Sequence, residues 1–208
     1  MSRRVIVIET DIKKYIRMAF DTQDEGIVDR LSSKAGLETV LRGQSLLSEG
    51  ELSKYLYILV DGIFHSCFTN QDGRTITDSF YWKQGMIIAG NSDLQQPSHS
   101  EVIAIRNSRL ISLPVSEITP LLEDNVAFMR FYIQKLNQSI RDRVIERQIC
   151  HFEIPINRYR WMKNNCPEWD NLIPDKYIAS FFLMTPVTYS RMKKKVREGN
   201  ACKTPCVN

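Results

Sequence analysis

The spacing of hydrophobic positions changes twice along the chain and predicts three successive regions. In residues 11–35 apolar side chains recur at helical spacing, interrupted at Gly26. From Leu37 to Leu113 short apolar runs alternate with turn signals such as Asp61-Gly62. After Pro114 the helical spacing returns. The pattern therefore predicts helices, then short antiparallel strands, then helices again.

The middle region has the pattern of an antiparallel β-sandwich or barrel. The turn signal at 70–73 predicts a hairpin, because Gly73 can take a positive φ. The predicted strands are Ser45–Ser48, Tyr55–Val60, Ile63–Thr69, Thr75–Tyr81, Met86–Ala89, Val102–Ile105 and Leu110–Leu113. The predicted fold class is α+β, with an antiparallel β-barrel or jelly roll, a long central helix and an all-α C-terminal domain.

A long helix is predicted from about Asp124, with apolar residues at alternating spacings of three and four. Its predicted seam consists of Val126, Met129, Ile133, Leu136, Ile140 and Val144. This heptad-like seam favours a parallel dimer helix, while the alternative is one amphipathic helix packed on the sandwich. Pro155 interrupts any continuous helix and predicts a hinge at 150–155. The sequence is thus predicted to divide into an N-terminal domain of helices and strands at 1–123, a dimerisation helix at 124–149 and an all-α C-terminal domain at 150–208.

Two short helices are predicted beyond the hinge. Asp175 can cap the first, whose predicted inner face carries Ile178, Ala179 and Phe182. Thr185 can cap the second, with Pro186 at its first position. The small side chain of Ala179 allows the second helix to approach closely.

The second helix has a predicted buried stripe and a basic outer face. The outer face is predicted to carry Thr188, Ser190, Arg191, Lys194 and Lys195. Such a helix can enter the major groove, where Arg can bond guanine and Lys can pair with phosphates. The alternative is an ordinary helical hairpin with a solvated basic side.

Charge supports an acidic partner for the last third of the chain. Residues 141–208 contain 13 Lys and Arg against 7 Asp and Glu, a net of +6, whereas residues 1–140 have a net of −2. Double-stranded DNA is the first candidate partner. A solvated basic tail is the alternative.

The remaining chemistry excludes several classes of protein. The chain contains no apolar run of about 18 residues and no signal peptide, so no membrane association is expected. Five cysteines without framework spacing indicate reduced thiols in the cytoplasm. Cys202 and Cys206 are too few for a zinc site, and the histidines lack metal-ligand spacing, so no metal is expected. No catalytic constellation is found, and the protein is not expected to be an enzyme.

The segment from Ile173 to Arg191 closely resembles the helix-turn-helix of the Crp/Fnr family of transcription regulators, with the pattern I-P-Q-x-x-I-A-S-Y-L-G-I-T-P-E-T-L-S-R. Residues 41–62 and 72–77 are similar to strands of that family's cyclic-nucleotide-binding-type barrel. The resemblance implies a cytoplasmic homodimer that binds a palindromic operator. RNA polymerase and an unidentified small-molecule effector are further candidate partners.

Two departures from the family pattern change what is expected of the sites. The phosphate cassette of cyclic-nucleotide members has Gly-Glu and Arg-Ser, where this chain has Gly85-Met86 and Ser98-His99. Without that arginine a cyclic phosphate lacks its main charge partner, so cAMP is not the expected effector. These four residues are the effector-pocket candidates, and a plain surface residue is the alternative for His99.

The second departure concerns DNA. Val187 replaces a glutamate, whereas Arg191 is retained. Because the sequence stops at Asn208, before the family's usual wing, phosphate contacts are expected from the basic residues of the second helix. The predicted DNA-binding residues are Thr185, Val187, Thr188, Ser190, Arg191, Lys193, Lys194, Lys195 and Arg197. The alternative function is a ligand-binding or protein-interaction module with a degenerate DNA-binding region.

Overall fold

The computed structural model describes residues 2–71 and 73–201, with side chains described for 11–71 and 73–198. Two compact units are present. The first contains the residues up to Phe68 together with Ser79–Ser139, and the second contains Thr69–Asp78 together with the residues from Ile140 onward. Cys202 and Cys206 lie outside the described residues.

Helices precede and follow a β region along the chain. The first half contains α1 (Ser2–Phe20), α2 (Glu25–Lys34), β1 (Gly36–Val40), β2 (Ser45–Leu47), β3 (Tyr55–Thr69), β4 (Thr75–Tyr81), β5 (Ile87–Ile88) and β6 (Glu101–Pro114). The second half contains α3 (Val115–Asp124), α4 (Val126–Phe152), α5 (Pro155–Asn165), α6 (Trp169–Leu172), α7 (Asp175–Phe181) and α8 (Pro186–Ala201). The predicted fold class, an antiparallel β region with a long central helix and C-terminal helices, is confirmed.

The sheet is built around the antiparallel pair of β3 and β6. Its strand order is β1-β6-β3-β4, with β2 also paired to β6 and β5 to β3. Leu56 and Ile58 on β3 pack against the helices, while Tyr57 and Leu59 belong to the core cluster on the other face of the sheet. Both faces of the strand are covered, which explains its continuous apolar run.

Four of the predicted strands merge into two long ones. Asp61-Gly62 does not end a strand, because β3 continues through it with shifts of register against β6. Gly62 has a φ of +124°, and a Cβ at this position would overlap the side chain of Ser108. Ser108 accepts a hydrogen bond from the amide of Ile63 (3.2 Å). The dipeptide that signals a turn in the sequence therefore forms a bulge.

The hairpin at 70–73 agrees with its prediction. Gly73 has a φ of +75°, and its amide donates to the carbonyl of Asn70 (2.9 Å). The hairpin joins β3 to β4, and its tip belongs to the second unit.

Every helix that the structure describes is too short or too polar to cross a lipid bilayer.

Substitution of Gly62 by alanine is expected to lower the free energy of unfolding by about 2–4 kcal/mol, since it adds a steric overlap to an unfavourable φ. Gly43→Ala is the matched control, because Gly43 has a φ of +84° but nothing within 4 Å of an added Cβ. The control should cost only about 1–2 kcal/mol. Urea unfolding followed by circular dichroism measures both, and equal losses would contradict the proposed overlap.

Candidate nucleic-acid interface

A capped helix with an exposed N-terminus follows a short helix in the second unit. The amide of Thr188 donates to Thr185 Oγ1 (3.1 Å), and Pro186 is the first residue of α8. Both features confirm the predicted start of this helix. The predicted inner face of α7 is also confirmed, since Ile178, Ala179 and Phe182 are fully buried, the last just after the helix.

The turn between the two helices depends on a strained residue that the sequence analysis missed. Leu183 has a φ of +54°, although it is not glycine. Its amide donates to the Ser180 carbonyl (3.0 Å), and the amide of Met184 donates to the Ala179 carbonyl (2.8 Å). The family pattern has glycine at this position, and that difference is the signal that could have revealed the strain. A left-handed residue costs about 1–2 kcal/mol, which the surrounding packing has to offset.

Arg158 on α5 fixes the end of α7. Its guanidinium donates to the Phe182 carbonyl and to the Glu153 carbonyl, each at 2.7 Å. Carbonyl groups at the end of a helix lack intrahelical partners, so the half-buried Arg158 is an effective cap. The sequence gives no local signal for this contact, because 24 residues separate Arg158 and Phe182.

An aromatic layer supports α8. Tyr189 is fully buried, and its ring lies edge-on to Tyr159 with centroids 5.6 Å apart. Trp169 contacts Phe181 in the same manner at 5.2 Å. Edge-to-face pairs of this kind add about 0.5–1.5 kcal/mol each to the burial of the rings. One face of α8 is therefore anchored within the unit.

A buried carboxylate lies beside this layer. The side chain of Asp170 is only 5% exposed, and Lys193 Nζ lies 2.9 Å from its Oδ1. Lys163 and Arg197 lie 3.4 and 3.6 Å from Oδ2. Lys193 also pairs with Asp175 at 2.8 Å. This group is called the Asp170 cluster below.

The electrostatics of the Asp170 cluster favour the charged state of both partners. Burial alone would raise the pKa of Asp170, but hydrogen bonds and charge from Lys193 and Lys163 outweigh it and lower that pKa. Burial opposes the charge of Lys193 too, yet its bonds to Asp175 and Asp170 raise its pKa. The cluster thus stabilises the fold at neutral pH. Its contribution is lost as the pH falls through the lowered pKa of Asp170.

The structure corrects one sequence expectation at this cluster, while the phosphate contact of Lys193 stays a prediction. Asp175 does not cap α7, because Pro174 occupies the N-cap position without a side-chain hydrogen bond. Its carboxylate binds Lys193 instead. Lys193, predicted to contact phosphate, has a side chain that is only 16% exposed. Its charge is neutralised within the unit.

The other predicted cations of α8 lie on its exposed surface. Arg191 is exposed, as are Lys194, Lys195 and Arg197. Lys194 makes only a long contact of 3.7 Å with Glu198, of a kind worth little in water. Thr185, Val187 and Ser190 are exposed and Thr188 is half-buried. The structure thus separates an anchored face, which includes Lys193, from a basic face.

The tip of the β3–β4 hairpin is hydrogen-bonded to α7. The Ser180 hydroxyl accepts a hydrogen bond from the amide of Thr77 (3.0 Å) and donates to the carbonyl of Thr75 (3.3 Å). Arg143 on α4 binds both the carboxylate (2.6 Å) and the carbonyl (3.0 Å) of Asp78. These contacts join residues 65 to 105 positions apart, so no local pattern in the sequence predicts them.

The predicted seam of α4 is apolar and solvent-exposed in the single chain. Ile140 is 61% exposed, and only Leu136 of the six predicted seam residues is half-buried. A helix packed only on its own chain would bury such a stripe. An exposed apolar stripe indicates an interaction surface.

The four effector-pocket candidates are held by different parts of the first unit. The Ser98 hydroxyl donates to the carbonyls of Gly90 and Ser100, and His99 Nε2 lies 2.9 Å from the side-chain nitrogen Nδ2 of Asn91. Gly85 has a φ of +80°, and the side chain of Met86 packs against the core cluster that contains Tyr57 and Phe64. A cavity of about 470 Å³ lies elsewhere, lined by residues 52–55, 94–95 and 114–116.

Cys67 and Cys150 are buried and are poor nucleophiles. Burial raises the pKa of both Cys67 and Cys150 to about 11. The thiol of Cys150 donates to the carbonyl of Phe181 (3.4 Å). Among the described residues no group of His, Cys, Asp and Glu is arranged to hold a metal ion.

Comparison with known proteins gives a domain and a fold. Residues 37–125 match the family model of the cyclic nucleotide-binding domain. No curated protein sequence matches the chain. Solved structures also resemble it, among them three at 12–16% identity, a level at which the likeness is one of fold.

FixK2 from Bradyrhizobium japonicum has a TM-score of 0.69 at 16% identity, over 80% of this chain and 86% of that chain. CLP from Xanthomonas campestris, described as a c-di-GMP responsive global regulator, has a TM-score of 0.64 at 12% identity. The match covers 85% of this chain and 93% of that chain. The catabolite activator protein of Thermus thermophilus has a TM-score of 0.54 at 16% identity, over 88% of each chain.

Substitution of Lys193 by methionine is expected to lower the free energy of unfolding at pH 7 by about 2 kcal/mol, because it removes the nearest cation from a buried carboxylate. Lys195→Met removes the same charge from an exposed position and should change stability by no more than about 0.5 kcal/mol. The difference should shrink in acid, as Asp170 becomes protonated. Equal effects of the two variants in denaturant titrations at pH 7 would contradict the structural role of Lys193.

Proposed function

Because this chain has the fold of the Crp/Fnr-type transcription regulators and a cyclic nucleotide-binding-type domain, we propose that it is a DNA-binding transcription regulator. The observation that carries the proposal is the division of α8 into an anchored face and a basic face. The proposal includes no catalytic activity, and it places the protein in the cytoplasm, with the DNA.

In the proposed complex, the N-terminal part of α8 lies in the major groove. Arg191 lies in its second turn and is exposed, as bidentate binding to guanine requires. Lys194 and Lys195 follow on the same helix and would contact phosphates. Arg197 would join them, because its side chain is 66% exposed although it lies 3.6 Å from Asp170. The exposed Ser190 completes the groove-facing set, whereas the Thr188 hydroxyl is bonded to that of Thr185. Lys193 is assigned to the support of the helix, because the Asp170 cluster holds it.

The protein is proposed to act as a homodimer through the seam of α4. The exposed apolar positions recur at heptad-like spacing over this 27-residue helix, as in parallel coiled coils. A two-fold axis would present two copies of α8 to the two halves of a palindromic operator. RNA polymerase and a small-molecule effector are further proposed partners.

The effector is proposed not to be cAMP. The family's arginine position holds Ser98 and His99, and the Ser98 hydroxyl is already bonded to two carbonyls of its own unit. A buried cyclic phosphate would find no charge partner there.

Substitution of Arg191 by alanine is expected to weaken binding to the selected operator by about 10- to 100-fold and to leave binding to scrambled DNA nearly unchanged. The operator is first obtained by selection of genomic fragments, and affinity is then measured by fluorescence anisotropy. Lys195→Ala is the control. It should weaken binding to all sequences alike and lower the slope against log salt by about 1. Binding without sequence preference would instead favour a module with a degenerate DNA-binding region.

Substitution of Ile140 by aspartate is expected to raise the dissociation constant of the dimer at least about 100-fold, because each seam would bury an unpaired charge. Gln134→Asp places the same charge at an exposed position away from the seam and is the matched control. Sedimentation equilibrium measures both variants. An Ile140→Asp protein that stays as dimeric as the control would contradict the assignment of this surface.

A further inference from the structure

The first turn of α8 combines exposure with an unusually apolar surface. Val187, the second residue of the helix, is 60% exposed. Pro186 beside it is also exposed and has no amide hydrogen. The helix that carries the basic face therefore begins with two apolar side chains in solvent.

The polar groups of this turn are already engaged with one another. The hydroxyls of Thr185 and Thr188 lie 2.9 Å apart, and Thr185 Oγ1 also accepts the amide of Thr188. These bonds form the N-cap, and breaking them to reach a base would weaken the start of the helix. The first turn thus has few uncommitted polar groups for a base edge, whereas Arg191 provides one in the next turn.

The chemistry of the major groove determines which base suits an apolar side chain. Thymine alone among the four bases presents an apolar group there, its C5 methyl, while the other edges present hydrogen-bond donors and acceptors. Contact of valine with those edges would remove water from polar atoms without replacing its hydrogen bonds. Contact with the thymine methyl instead buries apolar surface on both sides.

Val187 and Arg191 are four residues apart and lie on the same face of the helix. That spacing is about 6 Å along the helix, or about one to two base-pair steps along the groove. We propose that Val187 selects a thymine in each operator half-site, through contact with the C5 methyl, about one to two base pairs from the guanine bound by Arg191. This inference rests on the proposed function.

The test replaces thymines of the selected operator one at a time by deoxyuridine, which removes only the C5 methyl. With the whole 208-residue chain, one symmetric position in each half-site should show a loss of affinity of about three- to tenfold, in line with the burial of a methyl group. The protein should bind an operator with 5-methylcytosine at that position, opposite guanine, more tightly than an operator with cytosine there. Other thymines serve as internal controls.

The matched variant is Val187→Ala, which should bind the thymine and deoxyuridine operators equally well at that position. Because Val187 is exposed, the thermal unfolding of the Val187→Ala protein should match that of the unchanged protein. The deoxyuridine series with the unchanged protein is a test that does not depend on the variant.

The outcomes separate the two proposals. If no sequence is selected, the proposed function fails. If a sequence is selected and Arg191→Ala weakens it, but no deoxyuridine position affects binding, only the role of Val187 is overturned. A deoxyuridine effect that persists unchanged in Val187→Ala overturns it as well, since another side chain then contacts the methyl group.

Discussion

A charge without access to water has to be neutralised where it lies, and in the second unit this requirement falls on Asp170. Its side chain is almost completely buried, and the nearest cation belongs to α8. Lys193 is the nearest of three cations around this carboxylate, and its removal would weaken the compensation of a buried charge. The ion pair of Asp170 and Lys193 therefore favours the observed position of α8 on α6. The aromatic pairs and the cap at Thr185 stabilise the helix further in that position.

The sequence and the structure agree best where the physics is local. The cap of Thr185, the position of Pro186 and the small side chain at Ala179 follow from neighbours along the chain, and all three are found as predicted. The order of helices and strands also follows from periodicity. The apolar stripe of α4 could be predicted because a heptad-like spacing is visible without knowledge of any other element.

The errors have a common cause, which is competition from residues distant in sequence. Asp175 has the chemistry of a cap, but Lys193 lies 18 residues away and takes its carboxylate. Gly62 has the chemistry of a turn, but Ser108 on the neighbouring strand accommodates it as a bulge. Neighbouring lysines on one helix look equivalent in sequence, yet Lys193 is held within the fold and Lys195 is exposed. Only the folded chain distinguishes them.

The hydrogen bonds between the hairpin tip and α7 have a consequence for how the protein can be divided. The helical unit is assembled from two stretches of sequence, and one of them, Thr69–Asp78, is encoded far upstream of the other. A fragment that began at the C-terminal half of α4 would lack the partners that Ser180 and Arg143 have in Thr75, Thr77 and Asp78. On a ribosome, the residues of the hairpin tip emerge well before those of α7. A chimaera that exchanged the C-terminal helices between relatives would have to exchange this ten-residue tip with them.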